Sequence, residues 1–173
     1  MFIPGLRLCE LFYEEAVRPI LESAFPSLVY SAALIGYGSD VLGYDTVRST
    51  DHEWGPRLLL FVDEAAYADV ATPIQTELSQ RLPRVFHGYS SHFGEPDAEG
   101  VRLREARDAG PVEHKVEVHT THQFCLARLG VDPRDGLRVQ ALSLIHISEP
   151  TRLLSISHAV FCLKTKKTHT NNT

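Results

Sequence analysis

The sequence predicts one α/β (α+β) domain. With 173 residues, of which 43% are hydrophobic and 23% are charged, the chain has the composition of a soluble globular protein with enough apolar material for a core. Short apolar runs of strand length alternate with segments of helical periodicity. Glycine and proline mark the boundaries between these segments. We therefore expect helices and strands to alternate along the chain.

The first predicted element is a helix over residues 3–26, with a kink near Pro19, where the helix loses an amide donor. Residues 27–38, "SLVYSAALIGYG", predict a buried strand that enters a tight loop. Residues 57–63, "RLLLFVD", predict a second buried strand. The helix is expected to bury an apolar stripe formed by Leu8, Leu11, Phe12, Ala16, Ile20 and Ala24.

The second half of the domain continues the alternation. Residues 66–83 predict a helix, either continuous or divided at Pro73. The polar, glycine-rich residues 92–113 predict a long loop or a hairpin. "HKVEVHTT", residues 114–121, alternates as a third strand, and "THQFCLARLG" predicts a final helix closed by Gly130.

Composition also excludes several classes of protein. No apolar run approaches the roughly 18 residues of a membrane span, and the N-terminus lacks the basic start and long apolar stretch of a signal peptide. The formal net charge of −5 argues against a general DNA-binding surface. Cys9, Cys125 and Cys162 form neither a disulfide framework nor a zinc spacing, which fits a reducing compartment. We expect a cytoplasmic protein without membrane partners.

The composition changes near Ala141. Residues 1–141 contain twelve Arg, one Lys and no Asn, whereas residues 142–173 contain three Lys and both Asn. Within the second stretch, "LSLIHISEPTR" resembles the conceptual translation of a transposase-type sequencing adapter, and "ISHAVFCL" resembles the rest of that adapter with His158 in place of Tyr. We therefore predict a truncated domain over 1–141 and a non-native, adapter-derived tail over 142–173. The alternative is a genuine C-terminal element, because "LSLIHI" alternates like a strand.

The stretch from Gly36 to Gly55, "GYGSDVLGYDTVRSTDHEWG", carries the main functional signal. Gly38 and Ser39 end a predicted strand, where free backbone amides and a hydroxyl can hold phosphate oxygens. Asp51 and Glu53 are two residues apart, so in an extended segment both carboxylates face the same side. Two such carboxylates repel each other unless a cation neutralises them, and oxygen ligands suit Mg²⁺ or Mn²⁺.

The pattern of Gly38-Ser39, then eleven intervening residues, then Asp51-His52-Glu53-Trp54 resembles the signature of the polymerase-beta-like nucleotidyltransferase superfamily. More closely, "GSDVLGYD...DHEWGPR" and the flanking segments resemble an uncharacterised bacterial branch of it, a domain of unknown function, over nearly all of residues 3–135. The resemblance implies a mixed sheet flanked by helices and acids that bind two divalent metals. It also implies a further helical region after the catalytic domain, which we expect to be missing here.

The resemblance implies a third carboxylate on a neighbouring strand. Glu117 in "KVEVH" has the apolar-acid-apolar frame that such a residue needs, and Glu113 is the second choice. In the implied mechanism Asp51, Glu53 and Glu117 ligate the metals, and Glu117 helps to deprotonate an acceptor hydroxyl that attacks the α-phosphate of a nucleoside triphosphate. The acceptor is an unknown small molecule, protein or RNA end. Glu117 as a plain exposed strand acid is the structural alternative.

Several other residues of the stretch have simpler interpretations. We expect Asp40 to be a helix-start residue and Asp45 a solvated loop acid. His52 is expected to make a structural hydrogen bond and Trp54 to pack in the core. For Arg57 the sequence leaves two roles open, a bond to phosphate and an ion pair with an acid of the same site.

Two further features shape the functional hypothesis. The histidines match no zinc motif and are expected to be scattered structural residues: His87, His92, His114, His119 and His122. Gly55-Pro56 follows the acid pair almost at once, so the acids are expected at a strand entrance or bulge.

The sequence leaves two functions open, a metal-dependent nucleotidyltransferase and a non-catalytic nucleotide-binding or regulatory module of the same fold.

Overall fold

The computed structural model describes residues 2–36, 38–50, 54–95, 98, 102–135 and 161–166. Within these ranges the chain has an α+β fold, in which helices flank a mixed sheet, as the sequence predicts. The predicted acid pair, Asp51 and Glu53, lies outside the described residues, and so does His52.

The opening helix is confirmed, with one modification near Pro19. It consists of α1 (Gly5–Phe12), a π-helical turn (Tyr13–Val17) and α2 (Arg18–Ala24). Pro19 has no amide hydrogen and its ring would clash with the carbonyl one α-turn earlier, so the helix widens just before it. The wider turn keeps a four-residue repeat on the core side, which buries Leu8, Cys9, Phe12, Tyr13, Ala16, Val17, Ile20 and Leu21. Leu11 and Ala24 of the predicted stripe are half-buried at its margin.

The sheet has the strand order β5-β2-β1-β6. β1 is antiparallel to β2 and to β6, whereas β5 is parallel to β2 with Leu59 opposite Glu117. A separate small hairpin is formed by β3 and β4. The strands are β1 (Tyr30–Leu34), β2 (Arg57–Val62), β3 (Val85–Phe86), β4 (Tyr89–Ser90), β5 (Lys115–His119) and β6 (Phe161–Lys166).

Alternation along β2 and β5 divides the sheet into two different faces. One face belongs to the main hydrophobic core with the opening helix and α3 (Glu64–Arg81) and carries Leu58, Leu60, Val62, Val116 and Val118. The other face, here called the second face, carries Arg57, Leu59, Phe61, Lys115, Glu117 and His119. The polar and charged side chains of these two strands are therefore collected on the second face.

α3 is one continuous helix, so of the two alternatives for residues 66–83 the undivided one is correct. Asp63 caps its N-terminus by accepting a 2.8 Å hydrogen bond from the Ala65 amide. Pro73 lies on an exposed side of the helix. The carbonyl of Asp69, which loses its helical donor there, also belongs to an exposed residue and can bind water instead.

Residues 92–113 contain a hairpin-like pairing rather than an unpaired loop. The Gly94 amide donates to the Leu103 carbonyl at 2.8 Å, and the Glu105 amide donates to the His92 carbonyl at 3.0 Å. Phe93 and Arg104 form the bridge between these bonds.

The third strand and the last helix are confirmed. α4 (Thr121–Leu129) begins with a capping box between Thr120 and Gln123, and Gly130 closes it in the left-handed conformation. The β3–β4 hairpin was not predicted. Its turn consists of His87 and Gly88, both with positive φ, and the flanking strands have only two residues each.

Of residues 142–173, the structure describes 161–166 as strand β6. It pairs with the outer edge of β1, with a register shift between Ala32 and Ala33. The assignment of this stretch to a translated adapter stays a prediction. Among the described residues, no helix has both the length and the apolar character needed to cross a bilayer.

Side chains cover the outer edge of β5. Gln75 of α3 donates its amide to the Val116 carbonyl at 2.8 Å, and His114 Nδ1 accepts the Val116 amide at 3.1 Å. His114 Nε2 lies 3.3 Å from the Gln75 carbonyl. These bonds require the neutral imidazole with the proton on Nε2. Burial accordingly lowers the pKa of His114 below its ordinary value.

We expect acidification to destabilise the protein through His114. Because its pKa is lowered in the folded state, the unfolded chain binds the proton at a higher pH than the folded protein does. The stabilisation is therefore complete above the unfolded pKa of about 6.5 and is lost as the pH falls toward the folded pKa. The slope of the free energy of unfolding is at most ~1.4 kcal/mol per pH unit for one histidine. Urea unfolding of wild type and His114→Gln between about pH 7.5 and 5 measures it. An identical slope in both proteins would contradict the assignment.

Candidate functional site

The predicted Gly-Ser loop is an ordered turn that follows β1. The Leu42 amide donates to the Gly38 carbonyl at 3.2 Å, and the Tyr44 amide donates to the Ser39 carbonyl at 2.8 Å. Within the described part of the chain, the amides of Gly38, Ser39 and Asp40 have no backbone acceptor, and the Ser39 hydroxyl has no hydrogen-bond partner. The turn therefore offers donors of the kind that hold phosphate oxygens.

Asp40 and Arg57 form a buried ion pair directly behind this turn. Arg57 Nη2 lies 3.0 Å from both carboxylate oxygens of Asp40, and Nε lies 3.3 Å from Oδ2. The Asp40 side chain is only 2% exposed, and the Arg57 side chain is 15% exposed. Of the two roles left open for Arg57, the structure shows the ion pair. Asp40 is correspondingly a buried partner of arginine rather than a simple helix-start residue, which the local sequence could not reveal.

Gly38 is required by this ion pair. Its φ is +128°, and a Cβ atom placed on it would lie 2.5 Å from Oδ1 of Asp40 and 3.2 Å from Nη2 of Arg57. A side chain at this position would therefore strain the backbone and displace the carboxylate from the guanidinium. The glycine that suggested close approach of a phosphate is thus already explained by an internal contact.

We expect Gly38→Ala to destabilise the fold much more than Gly43→Ala. Gly43 lies in the same turn with φ +73°, but a Cβ there meets nothing within 4 Å. Gly43→Ala should cost about 1–2 kcal/mol of backbone strain, whereas Gly38→Ala should approach the ~3–5 kcal/mol of a broken buried ion pair. Chemical denaturation of both variants measures the difference. Equal losses would show that Gly38 is needed for its φ alone.

Asp45 is not the solvated loop acid that the sequence predicts. Its Oδ2 accepts hydrogen bonds from the Gly5 amide at 2.6 Å and from Trp54 Nε1 at 2.9 Å. The first bond satisfies a free amide at the start of α1, where a negative charge is also favourable to the helix dipole. Trp54 is buried in the core as predicted. Asp45 therefore ties the loop to the opening helix and to the residue that follows the acid pair.

Glu117 lies on the second face, with a side chain that is 46% exposed. His119 Nε2 is 2.9 Å from its Oε2, and this hydrogen bond is the main cause that lowers the pKa of Glu117 below its ordinary value. Nη2 of Arg128, at 3.9 Å, acts in the same direction. Phe61 and Phe124 pack around the His119 ring with centroid distances of 6.4 and 5.8 Å. Glu117 is therefore an ionised and oriented carboxylate at neutral pH.

The register of the sheet brings Glu117 toward the Gly-Ser turn. Glu117 is opposite Leu59, so it shares the second face with Arg57 two residues earlier on β2. Arg57 in turn reaches Asp40 in the turn. The Gly-Ser turn thus lies at the end of the sheet where β2 begins, and Glu117 lies in the middle of β5 on the face to which Arg57 belongs. Their predicted convergence with Asp51 and Glu53 stays a prediction, because the acid pair lies outside the described residues.

Glu113, the second choice for the third acid, lies in a different environment. It precedes β5 and lines a groove of about 610 Å³ between α3 and residues 110–114. Its backbone is tied to the hairpin segment, since its amide donates to His92 Nδ1 at 3.0 Å. α3 packs on the core face of the sheet, whereas Glu117 occupies the second face. The two acids therefore lie on different sides of the sheet, and the choice of Glu117 as the third acid stays a prediction.

Arg104 is a residue that sequence analysis missed. Its Nη2 donates to the Thr50 carbonyl at 2.9 Å, and its guanidinium carbon lies 5.0 Å from the Trp54 ring centroid. A Cβ on Gly55, whose φ is +141°, would lie 2.5 Å from Cδ of Arg104. Arg104, from residues 92–113, therefore contacts Thr50 and Trp54, which lie immediately before and immediately after residues 51–53. In the sequence, the sign of this contact is Gly55, which follows the acid pair and leaves room for another side chain. The sequence could not identify Arg104 as that side chain, because Arg104 is positioned by its pairing with Phe93, far from Gly55 along the chain.

We expect Arg104→Ala to loosen the packing of Trp54. The chain contains one tryptophan, so its fluorescence reports this position directly. Loss of the cation–π contact and of the covering alkyl chain should shift the emission to longer wavelength and increase acrylamide quenching. Arg102→Ala is the matched control, because Arg102 also donates to backbone carbonyls but does so at Phe93 and Gly94. Equal spectral changes in both variants would contradict a local role for Arg104.

The described histidines do not form a metal centre. His87 pairs with Glu15 at 2.8 Å, and His122 lies 3.2 Å from Asp132. Among the residues that the structure describes, no group of three or more His, Cys, Asp or Glu side chains could hold a metal ion. The predicted metal site depends on Asp51 and Glu53 together with Glu117, and its first two members lie outside those residues.

Comparisons of the chain with protein-family models, with curated proteins and with solved structures gave no match. The link to the nucleotidyltransferases therefore rests on the residue pattern of the Gly-Ser turn, the acid pair and Glu117.

Proposed function

We propose that the chain is a metal-dependent nucleotidyltransferase-like domain. It would transfer a nucleoside monophosphate from a nucleoside triphosphate to a small-molecule, protein or RNA acceptor. The observation that carries the proposal is the shared sheet face of Glu117 and Arg57, because Arg57 anchors the Gly-Ser turn through Asp40. A phosphate-binding turn and an oriented carboxylate held by one sheet are what such a reaction needs.

The turn supplies the phosphate-binding part of the proposed site. The amides of Gly38 and Ser39 and the Ser39 hydroxyl would donate to phosphate oxygens. Arg57 contributes little free charge to this contact, because both oxygens of Asp40 accept from it. In this site, phosphate binding would therefore depend on neutral donors of the turn and on a cation held by the acids.

Glu117 supplies the carboxylate part. Asp51, Glu53 and Glu117 offer hard oxygen donors, which fit Mg²⁺ or Mn²⁺. The ion, when bound, would stabilise the charge that develops on the attacking and leaving oxygens. Glu117 is held ionised by His119, so its carboxylate can accept the proton of the acceptor hydroxyl. The Glu117 side chain is 46% exposed, so its carboxylate can be reached from solvent.

One observation favours the second candidate, a non-catalytic nucleotide-binding or regulatory module. The Glu117 carboxylate is hydrogen-bonded to His119 and lies near Arg128, an arrangement that also satisfies a structural acid on an exposed strand. Such a module would bind nucleotide at the turn but release no pyrophosphate. Incubation with labelled nucleoside triphosphates and Mg²⁺, with pyrophosphate as the readout, separates the two candidates.

We expect Asp51→Asn and Glu53→Gln to abolish stabilisation by metal and nucleotide while leaving the metal-free fold intact. Each change keeps the side-chain size, removes a charge that attracts the cation, and relieves repulsion between the carboxylates. Wild type should gain about 2.7 kcal/mol when ligand exceeds its Kd a hundredfold. Thermal melting of the full chain, with and without Mg²⁺ and a nucleoside triphosphate, measures this gain.

Asp69→Asn is the control for the loss of one negative charge, because Asp69 is an exposed residue of α3. It should retain the full stabilisation by ligand. The opposite pattern would disprove a metal site. If the acid-pair variants melted markedly lower without metal, and wild type gained nothing from ligand, the acids would be structural partners of backbone or arginine groups.

A further inference from the structure

An exposed aromatic residue lies next to the Gly-Ser turn. Tyr44 is 79% exposed, and Val47, three residues later, is 69% exposed. Other large apolar side chains that are exposed in the described part of the chain belong to other elements, among them β3 and α4. The loop between β1 and β2 therefore presents an aromatic ring to solvent beside the proposed phosphate-binding donors.

The backbone that carries this ring is held firmly. The Tyr44 amide donates to the Ser39 carbonyl at 2.8 Å, and the next residue, Asp45, accepts hydrogen bonds from Gly5 and Trp54. Thr46 and Ser49 then form a capping box, in which the Thr46 amide donates to the Ser49 hydroxyl at 2.6 Å. An exposed ring on a loop fixed at successive residues is preorganised, so ordering it on binding costs little.

We propose that Tyr44 stacks on the base of the nucleoside triphosphate whose phosphates bind at Gly38 and Ser39. This inference rests on the proposed function and adds the residue that would hold the base. The direct hydrogen bond between Tyr44 and Ser39 places the base-binding residue and the phosphate donors on one rigid turn. Stacking on an aromatic face tolerates any base, so Tyr44 would increase affinity for nucleosides without selecting one of them.

A nucleotide explains this surface better than a protein partner does. A stable protein interface buries about 800 Å² on each side and is centred on several apolar or aromatic anchors. The loop offers Tyr44 and Val47 among turn residues such as Gly43 and Thr46, and Gly43 and Thr46 are themselves exposed. One ring next to amides that have no backbone acceptor among the described residues matches the two halves of a nucleotide, a flat apolar base and a charged phosphate chain.

The test compares a ligand that has a base with one that lacks it. Binding of ATP and of inorganic tripolyphosphate, each with Mn²⁺, is measured by calorimetry on the full chain for wild type, Tyr44→Ala, Tyr44→Phe and Val47→Ala. We expect Tyr44→Ala to weaken ATP binding about 5- to 150-fold and to leave tripolyphosphate binding unchanged. Tyr44→Phe keeps the ring and should bind ATP like wild type. Val47→Ala removes exposed apolar surface from the same loop and should change neither affinity.

Each outcome has a distinct meaning. If Tyr44→Ala weakens both ligands equally, or weakens neither, the stacking role is wrong while phosphate binding at the turn stands. If wild type binds neither ligand, the proposed function fails and the stacking role fails with it. Because Tyr44 is exposed, its replacement should not change the melting temperature. A Tyr44→Ala variant that unfolds would therefore also overturn the proposal, since it would make Tyr44 a structural residue.

Discussion

The buried ion pair between Asp40 and Arg57 is the interaction on which the candidate site depends. It joins the turn after β1 to the first residue of β2 by a direct contact between side chains. Removal of Arg57 would leave the carboxylate of Asp40, which is 2% exposed, buried without its guanidinium partner, and this is far more costly than loss of an exposed pair. The position of the Gly-Ser turn at the end of the sheet where β1 ends and β2 begins is therefore set by electrostatics inside the protein, before any ligand is considered.

The same construction occurs twice around the acid segment. At Gly38 the backbone approaches Asp40 and Arg57, and at Gly55 it approaches Arg104. In both places a nitrogen of an arginine side chain lies 3.2 Å from the position that a Cβ atom would take, and in both the glycine has a positive φ. Arginine suits this role because its planar group bonds in several directions at once. Gly38 and Gly55 thus allow close packing of Asp40, Arg57 and Arg104 against the backbone on either side of the predicted metal ligands. A glycine in a motif for phosphate binding can therefore be required by packing inside the protein.

The order of the main elements could be predicted because their signals are local. Apolar runs defined β1 and β2, alternation in "KVEVH" defined β5, and Gly130 defined the end of α4. The ion pair of Asp40, the capping role of Asp45 and the contacts of Arg104 could not be predicted, because each joins residues distant in sequence. A polar residue in a loop looks solvated until its partner is known. Alternation in "KVEVH" was enough to choose Glu117 over Glu113 from the sequence, and the sheet register adds which residues share its face.

The two edge strands of the sheet, β5 and β6, determine whether another chain can pair with it. Strand β6 pairs with the outer edge of β1, and on the other side Gln75 and His114 occupy the amide and carbonyl of Val116. The β5 edge therefore does not offer a continuous row of free backbone groups to another chain, whereas β6 is the last strand on the opposite side of the sheet. A protonated His114 can no longer accept the Val116 amide. Acidification that protonates His114 should therefore expose this part of the β5 edge, and self-association measured by light scattering should increase with it.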